Sequence, residues 1–170
     1  MPEQQLITDF ITHLRGERNL SPRTQEHYQR DLSQFDAYLR DLDYHSWRDI
    51  DAAQVRLFIA SEHRVRKISA RSLHRRLSSI RCFFQFLLQH HGLPHNPAAL
   101  VKAPKTRAAL PRPLDVDQVQ HLLANHTEHW LDVRDQAILE LLYSSGLRLS
   151  ELIHLELSQL DLSDQSARVL

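Results

Sequence analysis

The sequence predicts a mainly helical chain whose two folded parts are joined by a proline-rich segment. Apolar residues recur at spacings of three and four, and most of these runs follow a capping residue such as Ser or Asp. The 170 residues include three glycines, which disfavours an all-β fold with many tight turns. Five of the seven prolines fall within residues 93–113, which we interpret as a basic interdomain linker. The predicted domains are therefore residues 1–92 and 114–170.

The first two helices are predicted from one apolar stripe each. The first covers about residues 3–15 and carries Leu6, Phe10, Ile11 and Leu14. The second begins at Ser21-Pro22, a capping hydroxyl followed by proline at the first helical position, and runs to about residue 42. Its predicted core stripe is Tyr28, Leu32, Phe35, Leu39 and Leu42.

The third and fourth helices are also predicted from capping residues. Asp51 with Gln54 resembles a capping box and starts a helix to about Glu62. Ser69 starts a fourth helix, which Gly92 stops. The predicted buried residues of this pair are Val55, Phe58, Ile59, Leu73, Leu77, Ile80, Phe84, Leu87 and Leu88.

The second domain is predicted to contain three helices and the start of a strand. Asp115 caps the first of them, with Val116, Val119, Leu122 and Leu123 facing inward. The next helix starts at or near Asp132 and ends at Gly146, a residue suited to the left-handed turn after a helix. Ser150 is predicted to cap a third helix, and residues 167–170 to enter a strand.

Charge is distributed unevenly, although the chain carries 21 basic and 21 acidic residues. No acid occurs between His63 and Leu114, and that interval holds eleven Lys or Arg residues. Because folded helices usually alternate signs, this block predicts binding to a polyanion, of which nucleic acid is the common example. The alternative is a helical scaffold whose basic block meets an acidic protein.

Two helix surfaces are the candidate phosphate contacts. The first turns of the second helix offer backbone amides and arginines, and a stripe of basic and hydroxyl side chains follows the fourth helix at spacings of three and four. The alternative is ordinary capping with solvated arginines. Together with the basic turn and the linker, the predicted DNA-contacting residues are Arg23, Thr24, His27, Arg30, Lys67, Arg71, Ser72, His74, Arg75, Ser78, Arg81, Lys102, Lys105 and Arg107.

Several other classes of function lack their sequence signals. No apolar run reaches about 18 residues, and the N-terminus lacks the pattern of a secretory signal. Cys82 is the single cysteine, expected to be buried as a small hydrophobe in a protein of the reducing cytoplasm. His121, His126 and His129 fit no common zinc spacing, and no glycine-rich phosphate loop is present. We therefore expect no metal and no small-molecule cofactor.

Arg148 lies between the predicted stop at Gly146 and the predicted start at Ser150. We expect Leu147 and Leu149 to pack inward and to hold the guanidinium in a fixed direction, as a fork for a phosphate or carboxylate. The alternative is a solvated loop arginine paired with Glu151.

Six stretches resemble one family, the tyrosine recombinases. GLRLSEL and the preceding VRDQAILELLYSSG resemble the box that holds the family's first catalytic arginine and the helix before it. Two stretches are similar to its core-binding domain, NLSPRTQEHYQRDLSQF and ARSLHRRLSSIRCFFQFL. Two more resemble the linker and the first helix of its catalytic domain, HNPAALVKAPK and LPRPLDVDQVQHLL. Among subfamilies the chain resembles the Xer recombinases, which resolve bacterial chromosome dimers, and within them the C paralogue.

The resemblance implies a core-binding, SAM-like domain of four to five helices followed by the start of a mixed α/β catalytic domain. It implies DNA cleavage by a tyrosine through a 3′-phosphotyrosyl link, on a specific double-stranded site, by a heterotetramer with a paralogous recombinase. Arg148 matches the first catalytic arginine, and Glu151 the acid that supports it. The nucleophilic tyrosine and the other catalytic groups of the family lie beyond Leu170, so this chain alone is expected not to cut DNA.

Two explanations of this missing part stay open. The chain is either a truncated recombinase or a non-catalytic DNA-binding protein that ends at residue 170.

Overall fold

The computed structural model describes residues 3–105, 113–124 and 129–169. They belong to two compact units, Met1–Ala108 and Ala109–Leu170. The described residues are mostly helical, which confirms the predicted mainly α class. Among these residues, none of the helices combines the length and the hydropathy that a membrane span requires.

Four helices form the first unit. They are α1 (Glu3–Gly16), α2 (Pro22–Arg40), α3 (Ala52–Arg64) and α4 (Ala70–His90), with a short 3-10 turn at Trp47–Asp49 between α2 and α3. Like α2, helix α4 packs against each of the other three helices. The longest apolar stripe predicted from the sequence lies on this helix, as expected for the element that the others cover.

Local capping sets where these helices begin. Ser21 accepts a hydrogen bond from the backbone N–H of Thr24 at 3.3 Å, and Ser69 accepts one from the N–H of Ser72 at the same distance. Asp51 and Gln54 form the predicted capping box before α3. Each bond satisfies a backbone donor that has no partner inside its own helix. The three predicted helix starts are confirmed.

The core of the first unit is aromatic and lies between α4 and the other helices. Phe35 packs against Phe58, with 4.9 Å between the ring centroids, and Trp47 meets Phe83 at the same distance. The predicted core residues Leu32, Leu39, Val55, Ile59, Leu73, Leu77, Ile80 and Leu87 are buried. Leu42 was predicted to be buried and is 47% exposed, because α2 ends at Arg40.

A cluster of charged side chains is buried beside this apolar core. Asp31 is fully buried on α2 and accepts hydrogen bonds from three groups of α4, namely Arg75, Arg76 and Ser79. Arg76 is 5% exposed and also forms an ion pair with Glu62 of α3. Because an unpaired buried charge is strongly destabilising, these contacts fix the packing of α2 and α3 on α4.

The beginning of the predicted linker is packed on the first unit. Leu93, Ala98 and Val101 are buried in its core, with exposures of 8%, 0% and 1%. Residues 93–105 therefore lie against α4 and its neighbours instead of forming a free spacer. The predicted domain boundaries stay predictions.

The described residues of the second unit form three α-helices, a 3-10 turn at Leu157–Gln159 and a small hairpin. The helices are α5 (Val116–Leu123), α6 (Trp130–Ser145) and α7 (Leu149–Ile153). Strand β1 (Leu160–Asp161) pairs antiparallel with β2 (Ser166–Ala167). The strand predicted over residues 167–170 thus begins one residue earlier and has a partner strand within the chain.

The corner between α6 and α7 agrees only in part with the prediction. Gly146 has the predicted left-handed conformation, with φ of 64°, and its N–H donates to the carbonyl of Leu142 at 3.1 Å. The prediction that Ser150 caps α7 is wrong, because the helix starts at Leu149 with Arg148 as its N-cap residue. The carboxylate of Glu151 reaches back to the N–H of Arg148 and so fixes this earlier start.

Apolar residues of the second unit reach only partial burial. Val116 and Leu122, which were predicted to face inward, are 61% and 44% exposed. Among the described residues of this unit none is fully buried, whereas the first unit has a continuous core. A unit of this size encloses little volume, so the apolar faces of its helices stay partly exposed to solvent.

The buried charge cluster gives a testable stability difference. Replacing Asp31 with Asn leaves Arg75 and Arg76 without their shared counter-charge, and we expect a loss of about 3–5 kcal/mol in the free energy of unfolding. Urea unfolding followed by tryptophan fluorescence in a Trp130→Phe background, where only Trp47 (3% exposed) emits, measures the change.

Asp36→Asn is the matched control on the same helix, since Asp36 pairs with the exposed Arg40 one turn later. We expect this variant to lose less than about 1 kcal/mol. Equal losses for the two variants would contradict the role assigned to the buried cluster.

Candidate nucleic-acid interface

The N-terminus of α2 presents polar groups that its cap holds in place. The hydroxyls of Ser21 and Thr24 lie 2.9 Å apart, so the predicted contact Thr24 is tied to the cap. Arg23 and Arg30 are exposed, and His27 is half-buried. No acid lies in the first turn, so the positive end of the helix dipole is not neutralised within its own helix.

The N-terminus of α4 has the same construction. The Ser69 hydroxyl donates to the Ser72 hydroxyl at 3.0 Å, and again the first turn contains no acid. Lys67 precedes the cap in a left-handed conformation, with φ of 52°, and is exposed. Arg71 is exposed in the first turn, and within the described residues its side chain has no hydrogen-bond or ion-pair partner.

The predicted stripe along α4 is largely engaged with the protein itself. Arg75 pairs with the buried Asp31, and Arg81 donates to the backbone carbonyls of Ala98 and Val101. Two further members are also bonded: the His74 ring contacts the carbonyl of Pro104 at 3.0 Å, and the Ser78 hydroxyl donates to the carbonyl of His74 at 3.0 Å. Of the five stripe residues, Arg71 therefore has the most freedom to meet an external anion.

Two of the three linker cations in the prediction are described by the structure. Lys102 and Lys105 are exposed next to residues that α4 holds by hydrogen bonds. Arg107 lies outside the described residues. The described members of the predicted set are thus all in the first unit, and most of them lie on α4 or on the segment bonded to it.

Cys82 is only half-buried, and it meets a cation. The Arg18 guanidinium donates to its sulfur at 3.6 Å. Burial raises the pKa of the Cys82 thiol, and the nearby Arg18 opposes that shift in part. The thiol therefore stays protonated near neutral pH, as expected for a packing residue.

Arg148 is held by Glu151 while most of its side chain stays exposed. One oxygen of the carboxylate accepts the backbone N–H of Arg148 at 2.8 Å, and the other accepts its guanidinium at 2.7 Å. The Arg148 side chain is 82% exposed, and that of Glu151 is 24% exposed. These hydrogen bonds, first that of the backbone N–H and then that of the guanidinium, lower the pKa of Glu151 below its usual value of 4.5.

The source of this orientation differs from the prediction. Leu149 was expected to pack inward and to aim the arginine, but it is 65% exposed. The direction of the guanidinium is instead set by a carboxylate one helical turn along the chain. One guanidinium nitrogen faces Glu151, and among the described residues no other partner binds the remaining donors of the fork.

The histidines considered as metal ligands do not form a cluster in the described structure. His121 and His129 are exposed, and His126 lies outside the described residues. No group of three or more metal-ligating side chains was found among the residues that the structure describes.

Sequence reasoning missed the buried charges, although the sequence contains their signal. Asp31 follows Tyr28 by three positions and precedes Phe35 by four, so helical spacing places it on the core face. Glu62 and Arg76 have the same relation to the apolar residues of their own helices. A charge on a predicted core face requires a buried partner, and these three supply one another.

Both parts of the chain match models of known protein families. Residues 7–91 match the phage integrase, N-terminal SAM-like domain, and residues 112–170 match the phage integrase family. The first match falls on the unit that contains α1 to α4, and the second on the unit that contains Arg148.

Curated relatives agree over nearly the whole chain. Tyrosine recombinase XerC of Pseudomonas savastanoi pv. phaseolicola is 46% identical over 98% of this chain and 56% of its own length. Tyrosine recombinase XerC of Haemophilus influenzae is 44% identical over 96% of this chain and 55% of its own length. The chain thus spans about half the length of the curated relatives it matches.

A solved structure supports the fold. The Tn1549 transposon integrase, solved in complex with circular intermediate DNA, aligns with a TM-score of 0.70 and 18% identity, over 100% of this chain and 54% of that chain. The SAM-like helical unit and the two family matches agree: the chain belongs to the phage integrase family, whose similar relatives here are tyrosine recombinases.

Proposed function

We propose that the chain is the DNA-binding domain and the first part of the catalytic domain of a Xer-type site-specific recombinase. The observation that carries the proposal is the exposed guanidinium of Arg148, which Glu151 holds at the start of a helix. The proposed substrate is double-stranded DNA, in line with the integrase of the same fold that was solved on DNA.

The first unit supplies the grip on the duplex. Two helix N-termini without first-turn acids, each followed by an exposed arginine, offer backbone amides and guanidinium groups to phosphates. Arg23 and Arg71 are the arginines in question, and Lys67, Lys102 and Lys105 add exposed ammonium groups. Contacts of this kind bind the DNA backbone and make the affinity depend steeply on salt.

The second unit supplies one group of the reaction. In the proposed mechanism a tyrosine oxygen attacks the scissile phosphorus, a 3′-phosphotyrosyl bond forms, and the bond to the 5′ oxygen breaks. The leaving oxygen takes up a proton, and the phosphodiester energy is kept in the new bond. Arg148 neutralises the non-bridging oxygens as negative charge redistributes, and Glu151 keeps its guanidinium in position.

The remaining parts of the proposal concern the whole protein. The nucleophilic tyrosine and the second catalytic arginine are expected in the part of the relatives that this chain does not span. We further propose action in the cytoplasm as a heterotetramer with a paralogous recombinase, resolving chromosome dimers, with no cofactor.

Salt dependence tests the proposed grip on DNA. For Arg71→Gln, we expect weaker binding to a 30-base-pair duplex and a plot of log K against log salt that is shallower by about 0.9, because one phosphate contact is lost. Fluorescence anisotropy titrations at several salt concentrations measure both quantities.

Arg40→Gln is the matched control, since Arg40 lies in the last turn of α2 and pairs with Asp36 at 2.9 Å. We expect the slope of this variant to equal that of the wild type. Unchanged wild-type affinity between low and moderate salt would contradict phosphate-dominated binding.

Replacing Arg148 tests the catalytic assignment. In a recombinase as long as the curated relatives, Arg148→Ala should retain DNA binding and lose covalent complex formation by a factor of about 100 or more. Trapping of the phosphotyrosyl complex on a nicked recombination site measures the loss.

Arg134→Ala serves as control, because Arg134 is an exposed arginine of the same unit that pairs with Asp135. It should form the covalent complex at the wild-type rate. Cleavage at that rate by Arg148→Ala would refute the role proposed for Arg148.

The pKa of Glu151 tests the contact that aims the arginine. Its lowered pKa means that the contact with Arg148 stabilises the start of α7 above the usual carboxyl pKa of 4.5, and that this stabilisation is lost as pH falls through the lowered value. In Arg148→Ala the guanidinium is removed while the backbone N–H stays, so the pKa should rise only part of the way to 4.5. Carbon-detected NMR titration of the Glu151 carboxyl measures this; an unchanged pKa in the variant would exclude the side-chain contact.

A further inference from the structure

Arg81 binds the chain that follows α4 instead of projecting from the helix. Its Nε donates to the carbonyl of Ala98 at 3.0 Å, and its Nη2 donates to the carbonyl of Val101. The two carbonyls belong to a turn whose Ala98 and Val101 are 0% and 1% exposed. Two nitrogens of the Arg81 guanidinium thus donate to two carbonyl oxygens at the edge of the core. A lysine ammonium has one nitrogen and would not bind both oxygens in the same geometry.

Asn96 closes the same contact from the other side. Its amide nitrogen donates to the carbonyl of Arg81 at 3.0 Å, and its amide oxygen accepts the N–H of Ala98 at 3.0 Å. The Arg81 side chain therefore binds the turn after Asn96, and the Asn96 side chain binds the backbone of Arg81 in return. Each bond joins α4 to the turn or closes the turn itself.

A third contact lies further along the segment. The His74 ring meets the carbonyl of Pro104 at 3.0 Å through Nε2, and since a carbonyl only accepts, that nitrogen carries the proton. His74 precedes Arg81 by two helical turns. The segment from residue 96 to residue 104 is thus bonded to α4 near both of its ends.

We propose that Arg81, Asn96 and His74 are positioning residues that clamp residues 96–104 along α4. The clamp fixes the path by which the chain leaves the first unit. It also holds Lys102 and Lys105, which directly follow the bonded residues Val101 and Pro104, beside the helix that carries Arg71. In this part the inference rests on the proposed DNA-binding function: Arg81 acts on DNA through these two lysines and not by its own contact with a phosphate.

The lysine content of the chain provides a direct test without DNA. Lys67, Lys102 and Lys105 are the three lysines of the sequence, so endoproteinase Lys-C has three sites. The bond after Lys102 lies inside the clamped segment, whereas Lys67 lies before α4 in the same unit. Arg81→Gln in the 170-residue chain should increase the cleavage rate after Lys102 by about tenfold or more, because both carbonyl bonds are lost.

The cut after Lys67 is the internal control for unfolding of the whole unit, and Arg71→Gln is the control variant for loss of a positive charge on α4. We expect the Lys67 rate to stay at the wild-type value in both variants and the Lys102 rate to stay there in Arg71→Gln. If Arg81→Gln leaves the Lys102 rate unchanged, or raises the Lys67 rate equally, the clamp is refuted.

A second measurement tests how the clamp acts on DNA. Lys102→Gln with Lys105→Gln should weaken duplex binding in the wild-type background and have a clearly smaller effect in the Arg81→Gln background. Equal effects in both backgrounds would mean that Arg81 and the lysines act independently, which would overturn the link to DNA while leaving the proteolysis result intact. If the wild-type chain does not bind duplex DNA at all, the proposed function fails and the clamp is judged by proteolysis alone.

Discussion

The carboxylate of Asp31 fixes how the two longest helices of the first unit lie against each other. A fully buried carboxylate requires several donors, and α4 provides three of them from residues 75, 76 and 79. Sliding or turning α4 relative to α2 by one position would remove those donors from a group that has no access to water. Through this constraint the N-termini capped by Ser21 and Ser69 have fixed positions, and the surface that we propose for phosphate binding is set by a charge in the interior.

The burial of Asp31 also affects the interpretation of the acid-free, basic stretch between His63 and Leu114. Like charges along one helix face repel. From the sequence alone, an external anion is the simplest way to offset this repulsion. In the fold, part of the compensation is internal: Asp31 meets Arg75 and Arg76, and Glu62 meets Arg66 and Arg76. Among the described residues no acid forms an ion pair with Arg81, and its donors bind backbone carbonyls instead. Within the basic block, the cations that we propose for DNA are therefore Lys67 and Arg71 at the start of α4, and Lys102 and Lys105 on the segment that follows it.

What the sequence predicted well depends on local interactions. The caps at Ser21, Asp51 and Ser69, the left-handed Gly146 and the apolar stripes of α2 to α4 all follow from residues within one or two turns. The errors are non-local or involve competition between neighbouring signals. Ser150 is a good capping residue, but the Glu151 carboxylate bonds to the preceding N–H and starts α7 earlier. The exposure of Val116 depends on whether other elements of the fold cover it, and the spacing of apolar residues in its own helix gives no information on that.

Arg76 and Arg148 lie in opposite environments: the first stabilises the fold, and the second is the arginine that we propose for catalysis. Arg76 has a side chain that is 6% exposed between two buried carboxylates, so its charge is committed to the fold. Arg148 has a side chain that is 82% exposed and pairs with Glu151, and an ion pair of so exposed an arginine contributes little to folding. Its partner nevertheless restricts the direction of the guanidinium, because one carboxylate binds both the backbone N–H and the side chain of the same residue. A guanidinium that contributes little to folding, but that a carboxylate holds in one orientation, is pre-organised for an anion, and in the function we propose that anion is a phosphate oxygen of DNA.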